Sequence, residues 1–142
     1  MNFPYKKKVI SEEDTAALAA EFAAFLKGGE VIVLNGELGA GKTFFVKQAL
    51  RSFGINNVSS PTFALVNEYS DGLKFYHFDF YRINKASEII DIGFTDYLND
   101  ESAVSFIEWG NLLPEVLPES RIEININFKD EMTREFEFVR HE

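Results

Sequence analysis

A glycine-rich segment that ends in a lysine and a hydroxyl residue is the part of this sequence best suited to bind phosphate. Residues 36–43 read GELGAGKT and match the pattern G-x-x-x-x-G-K-[ST]. Glycines allow backbone amides to converge on an anion in conformations closed to residues with a Cβ atom. Lys42 can then reach the β- and γ-phosphates of a nucleotide, and the Thr43 hydroxyl can ligate Mg²⁺. The predicted nucleotide-binding residues of this phosphate loop are Gly36, Glu37, Leu38, Gly39, Ala40, Gly41, Lys42 and Thr43.

Two acidic residues in apolar segments are candidates for the metal-binding side of such a site. Glu108 ends a short apolar run, and Asp79 lies in an alternating segment that places it on one strand face with Phe75, His77 and Tyr81. A phosphate loop of this kind needs an acid at the end of a neighbouring strand to hold Mg²⁺ or its water shell. The sequence does not decide which of the two acids contacts the metal directly.

Three further polar residues have both a functional and a structural interpretation. Thr62 lies about twenty residues beyond Lys42, where a hydroxyl could sense the γ-phosphate or complete the metal shell, or could be a simple turn residue. His77 could act as a base or be only a hydrogen-bonded strand residue. Arg82 could neutralise phosphate charge or lie on the surface.

The sequence also carries information about the nucleobase. Many GTP-binding proteins with a phosphate loop use the string Asn-Lys-x-Asp, whose aspartate accepts two hydrogen bonds from guanine. Residues 84–87 read NKAS here, with Ser87 where that aspartate belongs. A hydroxyl cannot make the paired contact, so the sequence favours ATP.

The segments around these residues predict alternating helices and strands in one domain, residues 1–142. Ser11 is a hydroxyl N-cap followed by acids, and its helix should end at Gly28 and Gly29. The uninterrupted apolar run 31–34 is typical of a strand buried on both faces, and a second helix should follow the phosphate loop as far as Gly54. The other predicted elements are strands at 63–69, 73–81, 103–109, 121–128 and 134–139, and a weaker helical stretch at 86–98. This order predicts a three-layer α/β fold with a phosphate-loop sheet flanked by helices and antiparallel strands added at the C-terminus.

Composition limits the classes of function. The formal net charge is −9, which makes stand-alone nucleic-acid binding a poor fit, and the basic run Lys6–Lys8 is interpreted as a solvated edge. The chain has no cysteine and no apolar run of the ~20 residues that a membrane span needs. We therefore expect a cytoplasmic protein without disulfides, thiolate metal sites or a membrane span, and its fifteen phenylalanines predict a Phe-rich core.

Five strings in this order resemble the TsaE family, also called YjeE, the bacterial ATPases of tRNA threonylcarbamoyladenosine biosynthesis. The phosphate loop by itself is generic, and the strings beside it make the resemblance specific. They are GELGAGKT at 36–43, SPTF at 60–63, HFDFYR at 77–82, Gly93-Phe94-x-x-Tyr97, and Glu108-Trp109. The similarity extends from Ser11 to the last predicted strand.

The resemblance implies slow, partner-dependent hydrolysis of ATP with Mg²⁺. The implied partners are the TsaB and TsaD type proteins, whose complex places a threonylcarbamoyl group on adenosine 37 of ANN-decoding tRNAs, so that tRNA is engaged only indirectly. By the same resemblance, Glu37 to Lys42 bind the phosphates, Thr43 and Glu108 hold Mg²⁺, and Asp79 orients the attacking water or the metal shell. Thr62 serves a switch loop. The residues implied near the nucleotide from other elements are Ser11, at the adenine, and Thr133 and Arg134, in the last hairpin.

Two other classes of function stay open at this stage. A small-molecule kinase can carry the same loop, although no Arg-rich lid segment is evident and only five arginines occur in the chain. A non-catalytic adaptor could bind ATP only structurally.

Overall fold

A single mixed sheet organises the part of the chain that the structure describes. The structure is a computed structural model that describes residues 1–59 and 65–142. Its strands are β1 (Tyr5–Val9), β2 (Val31–Gly36), β3 (Val66–Asp71), β4 (Leu73–Asp79), β5 (Ala103–Glu108), β6 (Arg121–Phe128) and β7 (Arg134–His141). They lie side by side in the order β1-β7-β6-β2-β5-β4-β3. β2 is parallel to both β5 and β6, β4 is parallel to β5, and the remaining pairs are antiparallel.

Helices cover both faces of this sheet. The helices are α1 (Glu12–Ala23), α2 (Lys42–Arg51), α3 (Ala86–Asp91) and α4 (Phe94–Leu98). α1 and α2 pack on one face in a core that includes Phe22, Phe45, Phe136 and Phe138. α3 and α4 pack on the other face, over β4 and β5, around Phe78, Phe80 and Phe94. The predicted three-layer α/β fold and its Phe-rich core are confirmed.

Local sequence signals explain where the first helix begins. The Ser11 hydroxyl accepts a hydrogen bond from the Asp14 amide at 3.0 Å, and three acids occupy the first turn, where the helix dipole favours negative charge. α1 ends at Ala23 rather than at Gly28, because the amides of Phe25 and Leu26 donate three residues back and tighten the chain into turns.

Several other boundaries also differ from the prediction: α2 ends at Arg51 rather than at Gly54, and β3 and β7 each extend two residues further, to Asp71 and His141. The helical stretch 86–98 is split into α3 and α4 by Gly93, which adopts φ 83°, outside the right-handed helical region. β4 and β5 end at Asp79 and Glu108, two residues and one residue earlier than predicted. β1 was not predicted, because only Val9 of its five residues is buried and no alternation is visible among the lysines.

The structure gives no support for a membrane-spanning helix. Among residues 1–59 and 65–142, none of the helices is long and apolar enough to cross a bilayer.

Candidate functional site

The phosphate loop connects the end of a buried strand to the start of a helix. Gly36 is the last residue of β2, and Gly41 is the N-cap of α2 with φ 108°. Gly39 also has a positive φ of 82°, so both positions need a residue without a Cβ atom. Among the described residues no side chain makes a capping hydrogen bond to α2, and the N-terminus of this helix lies at the loop, as in anion sites at helix N-termini.

Lys42 is buried in the first turn of α2, and its ammonium group is held by the loop itself. Its Nζ donates to the carbonyl oxygens of Gly36 at 2.6 Å and Glu37 at 2.9 Å. The same nitrogen lies 4.0 Å from the centre of the Trp109 ring, within the range of a cation–π contact. Burial lowers the pKa of Lys42, and the charges of Glu108 and Asp79 partly oppose this effect.

Glu108 is enclosed by donors from two other elements. The Thr43 hydroxyl lies 2.7 Å from Oε1 and 2.9 Å from Oε2 of the Glu108 carboxylate. His77, on β4, places Nε2 2.6 Å from Oε2. Glu108 is 2% exposed and His77 is fully buried, so the carboxylate is desolvated except on the side that faces the loop. The site therefore contains a buried carboxylate beside a hydroxyl at the helix N-terminus.

Asp79 lies at the end of β4, directly opposite Glu108 in the parallel register. Its Oδ1 accepts a hydrogen bond from the Tyr81 amide at 2.9 Å. Burial raises the pKa of Asp79, the Tyr81 hydrogen bond lowers it, and the charge of Glu108 raises it further. The surroundings of Asp79 therefore disfavour the charged form of its carboxyl group.

These side chains line one cleft at the carboxyl ends of β2, β4 and β5. The cleft has a volume of about 380 Å³ and is lined by Leu38, Gly39, Gly41, Lys42, Thr43, Phe44, Asp79, Tyr81, Arg82, Glu108 and Trp109. The structure thus brings together five of the eight predicted loop residues, both candidate acids and Arg82. Gly36 and Glu37 line a neighbouring depression instead, and Ala40 lines the pocket on the other side of the loop. Thr62 lies outside the described residues.

A second pocket adjoins the other side of the phosphate loop. It has a volume of about 280 Å³ and is lined by Ser11, Glu12, Thr15, Gly39, Ala40, Gly41, Phe44, Glu131, Met132, Arg134 and Phe136. Ser11 and Arg134 therefore lie together in a pocket beside the phosphate loop. Thr133 is not part of this lining and borders a different, smaller depression with Lys129 and Asp130.

Arg134 contacts the loop backbone directly. Its Nε donates to the Ala40 carbonyl at 2.9 Å, and its guanidinium lies 5.1 Å from the Phe128 ring centre. A second nitrogen donates to the Glu131 carbonyl at 3.3 Å. The hairpin of β6 and β7 is in this way attached to the phosphate loop.

Two features of the site have no clear signal in the sequence. Trp109 adopts φ 62°, a left-handed conformation that is uncommon for a residue with a Cβ atom, and packs between Lys42 and Tyr81. The bond between His77 and Glu108 joins residues on different strands. The alternation around residue 77 placed His77 on one face with Asp79, but nothing in it identified Glu108 as the partner.

The oxygen ligands available at the cleft suit a hard cation. Mg²⁺ usually takes one or two protein oxygen ligands and completes its shell with phosphate oxygens and water. The Thr43 hydroxyl and the Glu108 carboxylate are such ligands, and Asp79 lies beside them. Within residues 1–59 and 65–142, no group of three or more His, Asp or Glu side chains is placed so that it could hold a metal ion.

The fold and the loop together define the class of the protein. A buried parallel strand, a glycine-rich loop and a helix, with acids at the ends of neighbouring strands, are the parts of a P-loop NTPase-like α/β domain. A family model described as "Threonylcarbamoyl adenosine biosynthesis protein TsaE" matches residues 9–136. The chain belongs to the TsaE family, and the resemblance seen in the sequence is confirmed.

Individual relatives agree with this assignment over most of the chain. The tRNA threonylcarbamoyladenosine biosynthesis protein TsaE of Bacillus subtilis is 42% identical over 136 residues, which cover 94% of this chain and 84% of the relative. The protein of the same name from Rickettsia felis is 39% identical over 127 residues, 87% of this chain and 73% of the relative. The crystal structure of Bacillus subtilis YdiB superposes with a TM-score of 0.84 at 34% identity and covers all of this chain and 88% of that one.

Proposed function

We propose that this chain binds ATP with Mg²⁺ in the cleft at the phosphate loop and hydrolyses it in support of threonylcarbamoyl modification of tRNA. The observation that carries the proposal is the meeting of Lys42, Thr43 and Glu108 at the N-terminus of α2, with the Thr43 hydroxyl 2.7 Å from the Glu108 carboxylate. Membership of the TsaE family supports the link to tRNA modification.

Each part of the cleft has a separate task in this proposal. The backbone amides of residues 37–43 and the first turn of α2 bind the phosphates, and Lys42 leaves its carbonyl partners to contact the β- and γ-phosphate oxygens. Thr43 and Glu108 would hold Mg²⁺, which neutralises charge on the phosphate oxygens when bound. Asp79, at the end of β4 opposite Glu108, would orient the attacking water or the metal shell.

The second pocket is proposed to hold the adenine base. Ser11 and Thr15 supply hydroxyl groups, while Phe44 and Met132 supply apolar surface, at the far side of the loop from Glu108. In this arrangement the base and the phosphates lie on either side of Gly39 and Gly41, which line both cavities.

Partners are proposed to supply the contacts with tRNA. A chain with a formal net charge of −9 repels the phosphate backbone, and its run Lys6–Lys8 lies on the edge strand, where Lys6 pairs with Glu137 at 3.8 Å. We therefore propose that the chain acts in the cytoplasm, as one nucleotide-binding domain, through proteins of the TsaB and TsaD type. The modified nucleoside is adenosine 37 of ANN-decoding tRNAs.

Replacement of Lys42 tests the nucleotide part of this proposal. Lys42→Ala should weaken ATP binding by at least about 100-fold, because two or more charge-assisted hydrogen bonds to phosphate are lost. Lys47→Ala is the matched control, since Lys47 is exposed on the same helix. Binding is measured by calorimetry, with circular dichroism to verify folding. Unchanged ATP affinity in a folded Lys42→Ala variant would refute the proposal.

Reconstitution tests the assignment to tRNA modification. The chain is combined with TsaB and TsaD type proteins, tRNA and ATP, and threonylcarbamoyladenosine is measured by mass spectrometry. We expect modification to depend on the chain and to be lost with Asp79→Ala and Glu108→Ala together. Full modification with that double variant would indicate an adaptor, and transfer of phosphate to a metabolite instead of release as inorganic phosphate would indicate a kinase.

A further inference from the structure

Of the described residues whose side chains bond to Glu108, His77 has no task in the proposed function. Its side chain is fully buried on β4, and Nε2 lies 2.6 Å from Glu108 Oε2. A carboxylate at this position only accepts, so Nε2 carries the hydrogen of the bond. Nδ1 has no hydrogen-bond partner in the described structure. A buried polar nitrogen without a hydrogen-bond partner lowers the stability of the fold. A histidine at this position is therefore expected to serve the site through the one bond that it makes.

The groups around the Glu108 carboxylate indicate what this bond does. A buried carboxylate normally pairs with the nearest ammonium group, yet within the described residues Glu108 and Lys42 form no ion pair shorter than 4.0 Å. The Lys42 ammonium is instead bound to the Gly36 and Glu37 carbonyls. Glu108 is held between His77 on one side and Thr43 on the other. The carboxylate thus bonds to the imidazole of His77 and to the hydroxyl at the start of α2, while Lys42 bonds to the loop carbonyls.

We infer that His77 is a positioning residue, which fixes the Glu108 carboxylate through the Nε2–H bond in the orientation that the metal site needs. The inference rests on the proposed function, because it concerns how Glu108 holds the cation. Groups that orient metal ligands in this way contribute about 10–100-fold to metal affinity. His77 itself touches neither nucleotide nor metal.

Variants of His77 that differ in reach test the inference. His77→Gln places an amide donor near the position of Nε2, whereas the shorter amide of His77→Asn ends near the position of Nδ1, and His77→Leu has no donor. We expect the Mg²⁺ concentration for half-maximal ATP hydrolysis to rise about 10-fold or more in His77→Leu and His77→Asn. His77→Gln should recover most of this loss. If His77→Leu does not fold, the comparison of His77→Asn with His77→Gln carries the test.

A measurement without metal separates positioning from general damage to the fold. The affinity for ADP in excess chelator should stay within about twofold of the parent chain in all three variants, since the phosphate loop is not altered. Phe78→Leu is the matched structural control, because Phe78 is fully buried on the same strand in the opposite core and does not contact Glu108. It should lower the melting temperature and leave the Mg²⁺ requirement as it is.

A double-variant cycle identifies Glu108 as the group through which His77 acts. In a Glu108→Gln background, His77→Leu should cause little further change in the Mg²⁺ requirement. Three results would overturn the inference. The effects of the two substitutions on the Mg²⁺ requirement could be additive, or His77→Gln could fail to restore the low Mg²⁺ requirement. The affinity for ADP without metal could also fall as much as the Mg²⁺ requirement rises. If the parent chain binds no nucleotide, the proposed function and the inference both fail. If the parent chain binds Mg²⁺ and ATP but His77→Leu behaves like it, the inference alone fails.

Discussion

Substitution of Gly36 by alanine is expected to damage the phosphate loop through steric contact alone. Gly36 is paired with Ile126 in the parallel register of β2 and β6, and an added Cβ atom would lie 2.9 Å from the Ile126 carbonyl oxygen and 3.2 Å from the Ala40 Cβ. The first distance is about 0.5 Å short of the 3.4 Å at which ordinary contact begins, and the obstacle is backbone that cannot rotate away. The end of β2 must therefore move.

The size of the effect follows from that movement. Overpacking of this kind destabilises a protein by about 1–3 kcal/mol, which corresponds to roughly 3–9 °C in melting temperature for a chain of this size. The Gly36 carbonyl also accepts a hydrogen bond from the Lys42 ammonium at 2.6 Å, so the displacement reaches the residue that is proposed to contact the phosphates. We expect ATP binding to weaken by at least about 10-fold, since positioning errors well below 1 Å are costly at such sites.

Gly72→Ala provides a matched control. Gly72 lies in the turn between β3 and β4 with φ 81°, and an added Cβ would meet no atom within 4 Å. Its left-handed backbone still destabilises an alanine by about 1–2 kcal/mol, so the two variants should lose comparable stability. Thermal melting and ATP calorimetry are measured on both. A Gly36→Ala variant with ATP affinity equal to that of Gly72→Ala would refute the steric argument.

Three further predictions concern individual side chains. Asp79→Asn should raise the melting temperature at pH 7. Because the pKa of Asp79 is raised in the folded protein, the folded protein loses stability as pH rises and this carboxyl group ionises, and asparagine removes that loss. Melting curves at decreasing pH should show the difference between variant and parent disappear toward pH 3.8, the ordinary pKa of an aspartate. Arg134→Met should weaken ATP binding about 10-fold in calorimetry, since the bond to the Ala40 carbonyl is lost while the apolar stem is kept. Tyr76→Phe should lower the melting temperature by about 3 °C through loss of the bond to Asp100 and leave ATP affinity unaltered.

The parts of the fold that the sequence predicted are those with local causes. The phosphate loop was recognisable because binding of a polyphosphate explains each residue type in its pattern: the glycines, the lysine and the threonine. β2 was recognisable because four consecutive apolar residues are needed to fill both faces of a central strand. Ser11 was recognisable because an N-cap is satisfied within three residues of itself.

The features that were missed depend on contacts between distant residues. β1 exists because its backbone pairs with β7, and three of its five side chains are lysines that carry no strand pattern. Trp109, which has a left-handed conformation, packs between Lys42 and Tyr81, and both of these come from other parts of the chain. Neither contact leaves a periodic trace in the residues next to it.

The metal-binding side of the site is produced by strand register. β4 and β5 are parallel with Asp79 opposite Glu108, and β2 and β5 are parallel with Leu34 opposite Glu108. Because parallel strands end at the same edge of a sheet, two acids 29 positions apart in the sequence reach the loop that follows Leu34. A shift of β5 by one residue would turn Glu108 to the other face, away from Thr43 and His77. The apolar residues that set this register, Val104 and Phe106 on one face and Ile107 on the other, therefore determine where the carboxylate lies as much as Glu108 itself does.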